Sequence, residues 1–379
     1  MKIVCDRNMT FGTEAFATLG DVTAKDGRDI TAEDVRDADL LFTRSTTKVN
    51  AALLEGSRVR FYGSAVIGTD HIDIPYLNGK GIAWTGAPGC NAESVATYFA
   101  AALLKLGIPL EERTVGIVGI GNVGKRVLLK AQAFGMRVLC CDPPRQEDPA
   151  DAAAQGFVSL ETVLREADII TLHVPLTKEG PHKTFHLLDA AAFAQMKKGV
   201  VLINAARGPV LVTDTLLAAM DNGTVSAAVI DCWEGEPVYR TDLLHRANIA
   251  TPHIAGHSFE GKVNGTKMVY ERACAFLGIE PVYRFELPPA EKPVVEIVVA
   301  GRTDEDVLRE IVPQVYDIVG DDRRLRESCT EDTVVRAKTF DYQRGHYPMR
   351  RQFEAVTVKA TGASEKLLRK IAALGFRIA

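Results

Sequence analysis

The 379-residue chain has no excess of positive charge: 45 lysines and arginines against 49 aspartates and glutamates leave a formal net charge of −4. A nucleic-acid binder or a protein held on an anionic membrane needs a basic field, so neither partner is expected. Long hydrophobic runs are also missing. The opening Met1-Lys2-Ile3-Val4-Cys5-Asp6 is too short for a secretory signal, and no later window approaches the roughly 20 apolar residues of a membrane helix. The expectation is a cytoplasmic protein. Cysteine is sparse: the seven residues Cys5, Cys90, Cys140, Cys141, Cys232, Cys274 and Cys329 are scattered, with no CxxC or Cys/His metal spacing. Reduced thiols and no metal site are therefore expected, with Cys140 and Cys141, inside an apolar run, as small core residues. Internal repeats and low-complexity tracts are absent too.

What is present is ample apolar material, 46% of the residues, and a length that suggests two or three domains. Strand-like runs at 2–5, 40–43, 61–65 and 82–85, with a helical run near 13–19, predict parallel βαβ units in the first 91 residues. A long helix is expected at 93–105. From Thr114 the pattern restarts, with strands at 114–118, 137–141, 169–174, 200–204 and 225–230, the alternation of a doubly wound sheet. A helical run at 261–277 is expected to cross back to the first domain. Three prolines within Leu287-Pro288-Pro289-Ala290-Glu291-Lys292-Pro293 mark a linker. Beyond it, strands at 294–300, 355–360 and 376–378 and helices at 304–319 and 364–374 predict a separate α+β module.

The second block opens with Gly119-Ile120-Gly121-Asn122-Val123-Gly124 between a strand and a helix, with Asp142 about twenty residues on. In that context the glycines provide the turn, the close approach to a pyrophosphate and tight helix packing, and the acid binds a ribose 2′-hydroxyl. NAD is the expected cofactor. Arg145 beside Asp142 leaves NADP open, and a plain glycine turn is the bland alternative.

Three ionisable residues each follow an apolar strand-like run: Arg207 after 200–203, Glu236 after 227–230 and His253 after 249–250. Ligands of open α/β sheets bind beyond the carboxyl ends of the strands. A guanidinium holds a planar carboxylate through two parallel bonds, an imidazole moves a hydroxyl proton near neutral pH, and a neighbouring carboxylate orients the ring and favours its protonated form. Together they suit a 2-hydroxy acid. Singly they could be a surface cation, a solvated loop acid and a core histidine. Asp231 could fix a nicotinamide amide or merely cap a turn.

The runs Gly119–Gly124, 204–208, 233–237 and 252–256 together resemble the D-isomer-specific 2-hydroxyacid dehydrogenases. The resemblance runs nearly end to end and implies an α/β protein with two doubly wound parallel-sheet lobes around a cleft. Residues 1–91, with 257–286 returning, would form a flavodoxin-like substrate lobe, 92–256 a Rossmann-type NAD lobe, and 288–379 a C-terminal α+β dimerisation module. It implies Arg207, Glu236 and His253 as catalytic residues. Gly119, Gly121, Asn122, Val123, Gly124, Asp142, Val174, Ala205, Asp231 and Gly256 would contact NAD, and Ser45, Val66, Arg207 and His257 a phosphorylated 2-hydroxy acid.

Val66 and Val174 stand where many members have Thr, and His257 where many have Tyr. Valine cannot donate a hydrogen bond, which leaves the exact substrate open. The expected activity is NAD-dependent oxidation by a homodimer. Alternatives are a sibling such as a 3-phosphoglycerate or hydroxypyruvate dehydrogenase, and a non-catalytic protein that senses the dinucleotide. Arg344, His346, Arg350 and Arg351 read either as a solvated helix face or as cations reaching across a dimer to a substrate phosphate.

Overall fold

A computed structural model describes residues 1–379, which form two compact units: Met1–Ala92 with Ser258–Pro288, and Glu93–His257 with Pro289–Ala379.

The first unit is built on five parallel strands, β1 (Lys2–Asp6), β2 (Asp21–Lys25), β3 (Leu40–Thr43), β4 (Phe61–Ser64) and β5 (Ala83–Thr85), in the order β2-β1-β3-β4-β5. The central strands β1, β3 and β4 are buried along nearly their whole length, as a parallel sheet covered on both faces requires. Strand β2 is absent from the sequence expectation. Its Asp-Val-Thr-Ala-Lys carries polar groups at an exposed sheet edge, so it shows no apolar run. Helix Phe259–Leu277 belongs to this unit. Ser258 caps its start by accepting from Gly261 N, and Gly278 ends it in the left-handed region at φ 69°. The helix lies so close to the chain after β4 that a β-carbon on Gly265 would sit 2.3 Å from the Ala65 carbonyl oxygen.

The second unit carries six parallel strands, β6 (Thr114–Val118), β7 (Arg137–Cys141), β8 (Ile169–Leu172), β9 (Val200–Asn204), β10 (Val225–Ile230) and β11 (Ile249–Ala250), in the order β11-β10-β9-β8-β6-β7. The order reverses between β6 and β8, the crevice where doubly wound sheets bind ligands. A further parallel sheet, β12 (Val294–Val298), β13 (Thr357–Thr361) and β14 (Arg377–Ile378), lies in the C-terminal segment.

The C-terminal segment packs against the six-stranded part of its unit. Val295, Ile297, Val307, Leu308 and Ile311 share one core with Val127, Ala131 and Phe134, and the buried Lys130 donates to the Leu374 carbonyl at 2.6 Å. The helix expected at 304–319 is cut short at Ile311. Pro313 lacks an N–H and supports only a 3₁₀ turn, Val312–Gln314. Helices Ile318–Glu327 and Thr333–Gly345 follow; their many charged residues hide the apolar stripe. The solvated-face alternative for the C-terminal arginines also fails: Arg350 and Arg351 leave the helix and are 5% and 9% exposed.

Candidate active site and cofactor cradle

The glycine loop leaves β6 beside the sheet's reversal point. Gly119 has φ 92°, and a β-carbon there would lie 2.8 Å from the His173 backbone and 2.9 Å from Val174 Cγ1. Only glycine meets both demands. A β-carbon on Gly124 would stand 2.0 Å from the Gly119 carbonyl oxygen, so the first turn of helix Asn122–Ala133 rests directly on the loop. Gly121, capping that helix, has open space where a side chain would be. Exposed N–H groups at a helix start with room above them fit a pyrophosphate, and Val174 borders this cradle from the loop after β8.

Asp142 follows β7, and its Oδ2 accepts Ile120 N at 2.7 Å. Arg145 is not available as a phosphate clamp. Its Nε and Nη2 are held by Asp151 at 2.6 and 3.0 Å, and its Nη1 by the Ile120 carbonyl at 2.7 Å. The ribose side of the cradle thus carries a carboxylate and a neutralised guanidinium, which fits NAD and opposes the extra phosphate of NADP.

Strands β9, β10 and β11 are neighbours, with Ile230 in register with both Asn204 and Ala250. The loops bearing Arg207, Glu236 and His253 therefore leave the same edge of the sheet side by side. Asn204, fully buried at the end of β9, ties two of them: Nδ2 donates to the carbonyls of Arg207 (3.1 Å) and Cys232 (3.3 Å), and Oδ1 accepts Ala206 N. Asn204 is not among the residues expected in the site. An asparagine ending an apolar strand is its signal, because a buried amide must find partners.

Trp233, 1% exposed, anchors the second loop by donating Nε1 to the Thr251 carbonyl at 2.8 Å. Its backbone N–H donates to Glu236 Oε2 at 3.1 Å, and Glu236 Oε1 lies 2.6 Å from His253 Nδ1. Burial pushes the Glu236 carboxyl up, but the charge and hydrogen bond of His253, the Trp233 N–H and the charge of Arg344 outweigh it and leave the group below its ordinary value. His253 sits at φ 54°, a strained region for a side-chain-bearing residue. Asp231 holds it there. The Asp231 carbonyl accepts His253 N at 2.8 Å, and its carboxylate accepts Ile254 N, Ala255 N and the Thr251 hydroxyl. At 1% exposure, with burial pushing its carboxyl up, Asp231 anchors the His253 loop.

Ala205 follows β9 directly, beside the Arg207 turn, and Gly256 lies three residues past His253. His257 N donates to the Ile254 carbonyl at 2.8 Å, and its ring meets Tyr347 edge-on at 5.8 Å. Arg350 donates to the carbonyls of Ala255 and Ser94 and stacks 4.3 Å from the Tyr316 ring. The second unit thus gathers Arg207, Asp231, Glu236, His253, Gly256 and His257, with Tyr347 and Arg350 added from the C-terminal segment. Ser45 and Val66 belong to the first unit. They follow the adjacent strands β3 and β4 by two residues each, Ser45 exposed and Val66 half-buried.

Residues 92–255 match the family described as D-isomer specific 2-hydroxyacid dehydrogenase, NAD binding domain, and residues 287–375 match a domain of unknown function, DUF3410. Among solved structures, D-lactate dehydrogenase from Aquifex aeolicus, complexed with NAD and lactic acid, aligns with a TM-score of 0.61 at 29% identity, covering 73% of this chain and 96% of that one. The TT0316 protein of Thermus thermophilus aligns with a TM-score of 0.63 at 26% identity, covering 74% and 98%. The erythronate-4-phosphate dehydrogenase of Azotobacter vinelandii is 42% identical over 99% of both chains. That of Pectobacterium atrosepticum is 44% identical over 94% of both. With the glycine cradle, the Arg207, Glu236 and His253 loops and this full-length similarity, the chain belongs to the erythronate-4-phosphate dehydrogenases, a family of the D-isomer specific 2-hydroxyacid dehydrogenases.

Proposed function

We propose that the chain oxidises 4-phospho-D-erythronate at C2 with NAD, giving 2-oxo-3-hydroxy-4-phosphobutanoate, a step of pyridoxal phosphate (vitamin B6) biosynthesis. The observation that carries the chemistry is the 2.6 Å contact between Glu236 Oε1 and His253 Nδ1. With Nδ1 engaged, Nε2 is the nitrogen left to take the C2 hydroxyl proton, and the carboxylate fixes the ring and stabilises the imidazolium that forms. Bound NAD supplies the hydride acceptor. As the proton goes to His253, the C2 hydrogen leaves with its electron pair and C2 becomes a carbonyl carbon. Arg207 offers paired donors to the substrate carboxylate. His257 is proposed as a substrate contact on its donor capacity, and Ser45 and Val66 on the family pattern.

We also infer a cytoplasmic homodimer assembled through residues 288–379. No helix is long and apolar enough to cross a membrane. The C-terminal segment exposes Val298, Val334, Val335, Tyr342 and Met349, the last at 66%, apolar side chains that an association through this segment would cover.

NADH formation with 4-phospho-D-erythronate, 3-phospho-D-glycerate and D-glycerate at equal concentration, with a 2-oxo-acid acceptor as control, tests the activity. Preference for phosphoerythronate is expected. Preference for either other acid overturns the substrate, and no turnover with any of them favours a non-catalytic dinucleotide-binding protein.

A further inference from the structure

The C-terminal segment matches a domain of unknown function, and one of its helices docks on the loop that bears Glu236. On helix Thr333–Gly345, Phe340 is 1% exposed and its ring lies 5.5 Å from Tyr239, which in turn lies 5.2 Å from Trp233. Arg336, one turn before Phe340, sets its guanidinium 5.6 Å from the other partner in this stack, the Tyr239 ring. This aromatic relay ends on the residue whose N–H binds Glu236. Arg344 stands four residues after Phe340, hence on the same helix face, with its guanidinium carbon 5.9 Å from the Phe340 ring. Its Nε is buried and has no hydrogen-bond acceptor. A buried guanidinium nitrogen without an acceptor is costly, which raises the question of what the cation does there.

We propose that Arg344 is a positioning residue for the acid–imidazole pair: held by the Phe340–Tyr239–Trp233 relay, it supplies the positive field in which Glu236 keeps its grip on His253. The C-terminal segment thereby completes the site from within the same chain. This rests on the proposed roles of Glu236 and His253. The charged groups around Glu236 are consistent with it. His253 faces it from the β11 loop, Asp231 and Cys232 precede it on its own loop, and Arg207 comes from the β9 loop. Arg344 is the cation from the C-terminal helix; its charge helps hold the Glu236 carboxyl down and opposes the rise that burial imposes on the Cys232 thiol. Without it, the arginines left in the site would be Arg207, whose proposed partner is the substrate carboxylate, and Arg350, which is spent on the Ser94 and Ala255 carbonyls and the Tyr316 ring.

The test is the pH profile of kcat/KM for NADH formation from 4-phospho-D-erythronate by the full-length protein. Arg344→Met, Arg344→Lys and Arg344→Gln are compared with Lys338→Met, which removes an exposed positive charge from the same helix, and with His253→Ala. For Arg344→Met we expect a roughly tenfold loss on the acidic side that disappears toward alkaline pH, where Glu236 ionises without help. The KM for NAD should stay unchanged, Arg344→Lys should lie near the unsubstituted profile, and Lys338→Met should match it. An Arg344→Met profile that is unchanged, or lowered equally at every pH, overturns the proposal, the second outcome making the residue merely structural. Should Arg344→Met fail to fold, Arg344→Gln against Arg344→Lys gives the same comparison. Full turnover by His253→Ala would instead overturn the underlying mechanism, whatever Arg344 does.

Discussion

Gly208 passes so close to Trp233 that a β-carbon at position 208 would lie 1.9 Å from the Trp233 carbonyl oxygen. This contact brings the loop of Arg207 against the loop of Glu236, and the obstruction is backbone, which cannot swing aside. Gly208→Ala is expected to destabilise the protein by about 1–3 kcal/mol through overpacking and to separate the two loops. Turnover should fall further than the unfolded fraction explains, because a displacement of about 1 Å at a catalytic group costs around a hundredfold. Thermal unfolding alongside kcat checks it, and a variant that loses stability but keeps full kcat at 25 °C would contradict the loop argument.

Glu236 makes the site sensitive to acid. Although burial opposes it, the His253 interaction and the other donors hold its folded value below the ordinary 4.5. For a depressed carboxyl the unfolded chain takes up the proton first, so the stabilisation is complete above about 4.5 and fades as pH falls through the lower folded value. Glu236→Gln should therefore flatten the acid side of a plot of Tm against pH, and should reduce kcat by about a hundred- to ten-thousand-fold by leaving the His253 ring poorly oriented. Identical acid slopes for the two proteins would remove Glu236 from the ionised pair.

Much of the second unit could be read from the chain because it is dry and parallel. Strands buried on both faces are uninterrupted apolar runs, so β6, β8 and β9 announce themselves, and each functional residue follows at a strand's carboxyl end. Strand β2 was hidden because an edge strand needs no such run. The grouping of Asn204 with Arg207 and Cys232 was hidden for another reason: side-chain amides choose partners in three dimensions, and Cys232 is 28 residues away from Asn204. The C-terminal arginines misled most. Their density suggests a wet surface, whereas Arg350 spends its charge on backbone carbonyls and an aromatic face inside the second unit.

The proposed basis of cofactor choice is Asp142 together with the hold of Asp151 on Arg145. Asp142 opposes a 2′-phosphate, and Asp151 occupies the one nearby guanidinium that could bind it. Asp142→Ser alone should weaken NAD use without creating good NADP use. Asp142→Ser with Asp151→Asn should release Arg145 and shift the NADP to NAD ratio of kcat/KM by about ten- to a hundredfold, the equivalent of one to two charge-assisted hydrogen bonds. If the single and double variants give the same ratio, Arg145 has no part in selecting the cofactor.

Tyr347 joins a buried acid, Asp321, to His257, which follows the His253 loop. Its hydroxyl donates to Asp321 Oδ2 at 2.6 Å, beside the Tyr316 hydroxyl at 2.9 Å, while its ring faces His257. Asp321 is 2% exposed, and burial pushes its carboxyl above the ordinary value, so when ionised it relies on these donors together with Arg324, which bonds its other oxygen, and the charge of Arg350. The two functions of Tyr347 can be separated. Tyr347→Phe keeps the ring and removes the donor. It should cost about 1–3 kcal/mol of stability, the penalty for a buried acceptor left short of a partner, and leave KM for the phosphorylated acid nearly unchanged. Tyr347→Ala also frees the His257 ring and should raise that KM several-fold. The acid raises a sign that can be checked. For a carboxyl whose folded value lies above the unfolded one, stability falls as pH rises from about 3.8 through the raised value. Losing a donor makes ionisation harder still, so the stability gap between Tyr347→Phe and the unsubstituted protein should widen from acid toward neutral pH. A gap that stays constant with pH would mean that Asp321 does not titrate in the folded protein over this range.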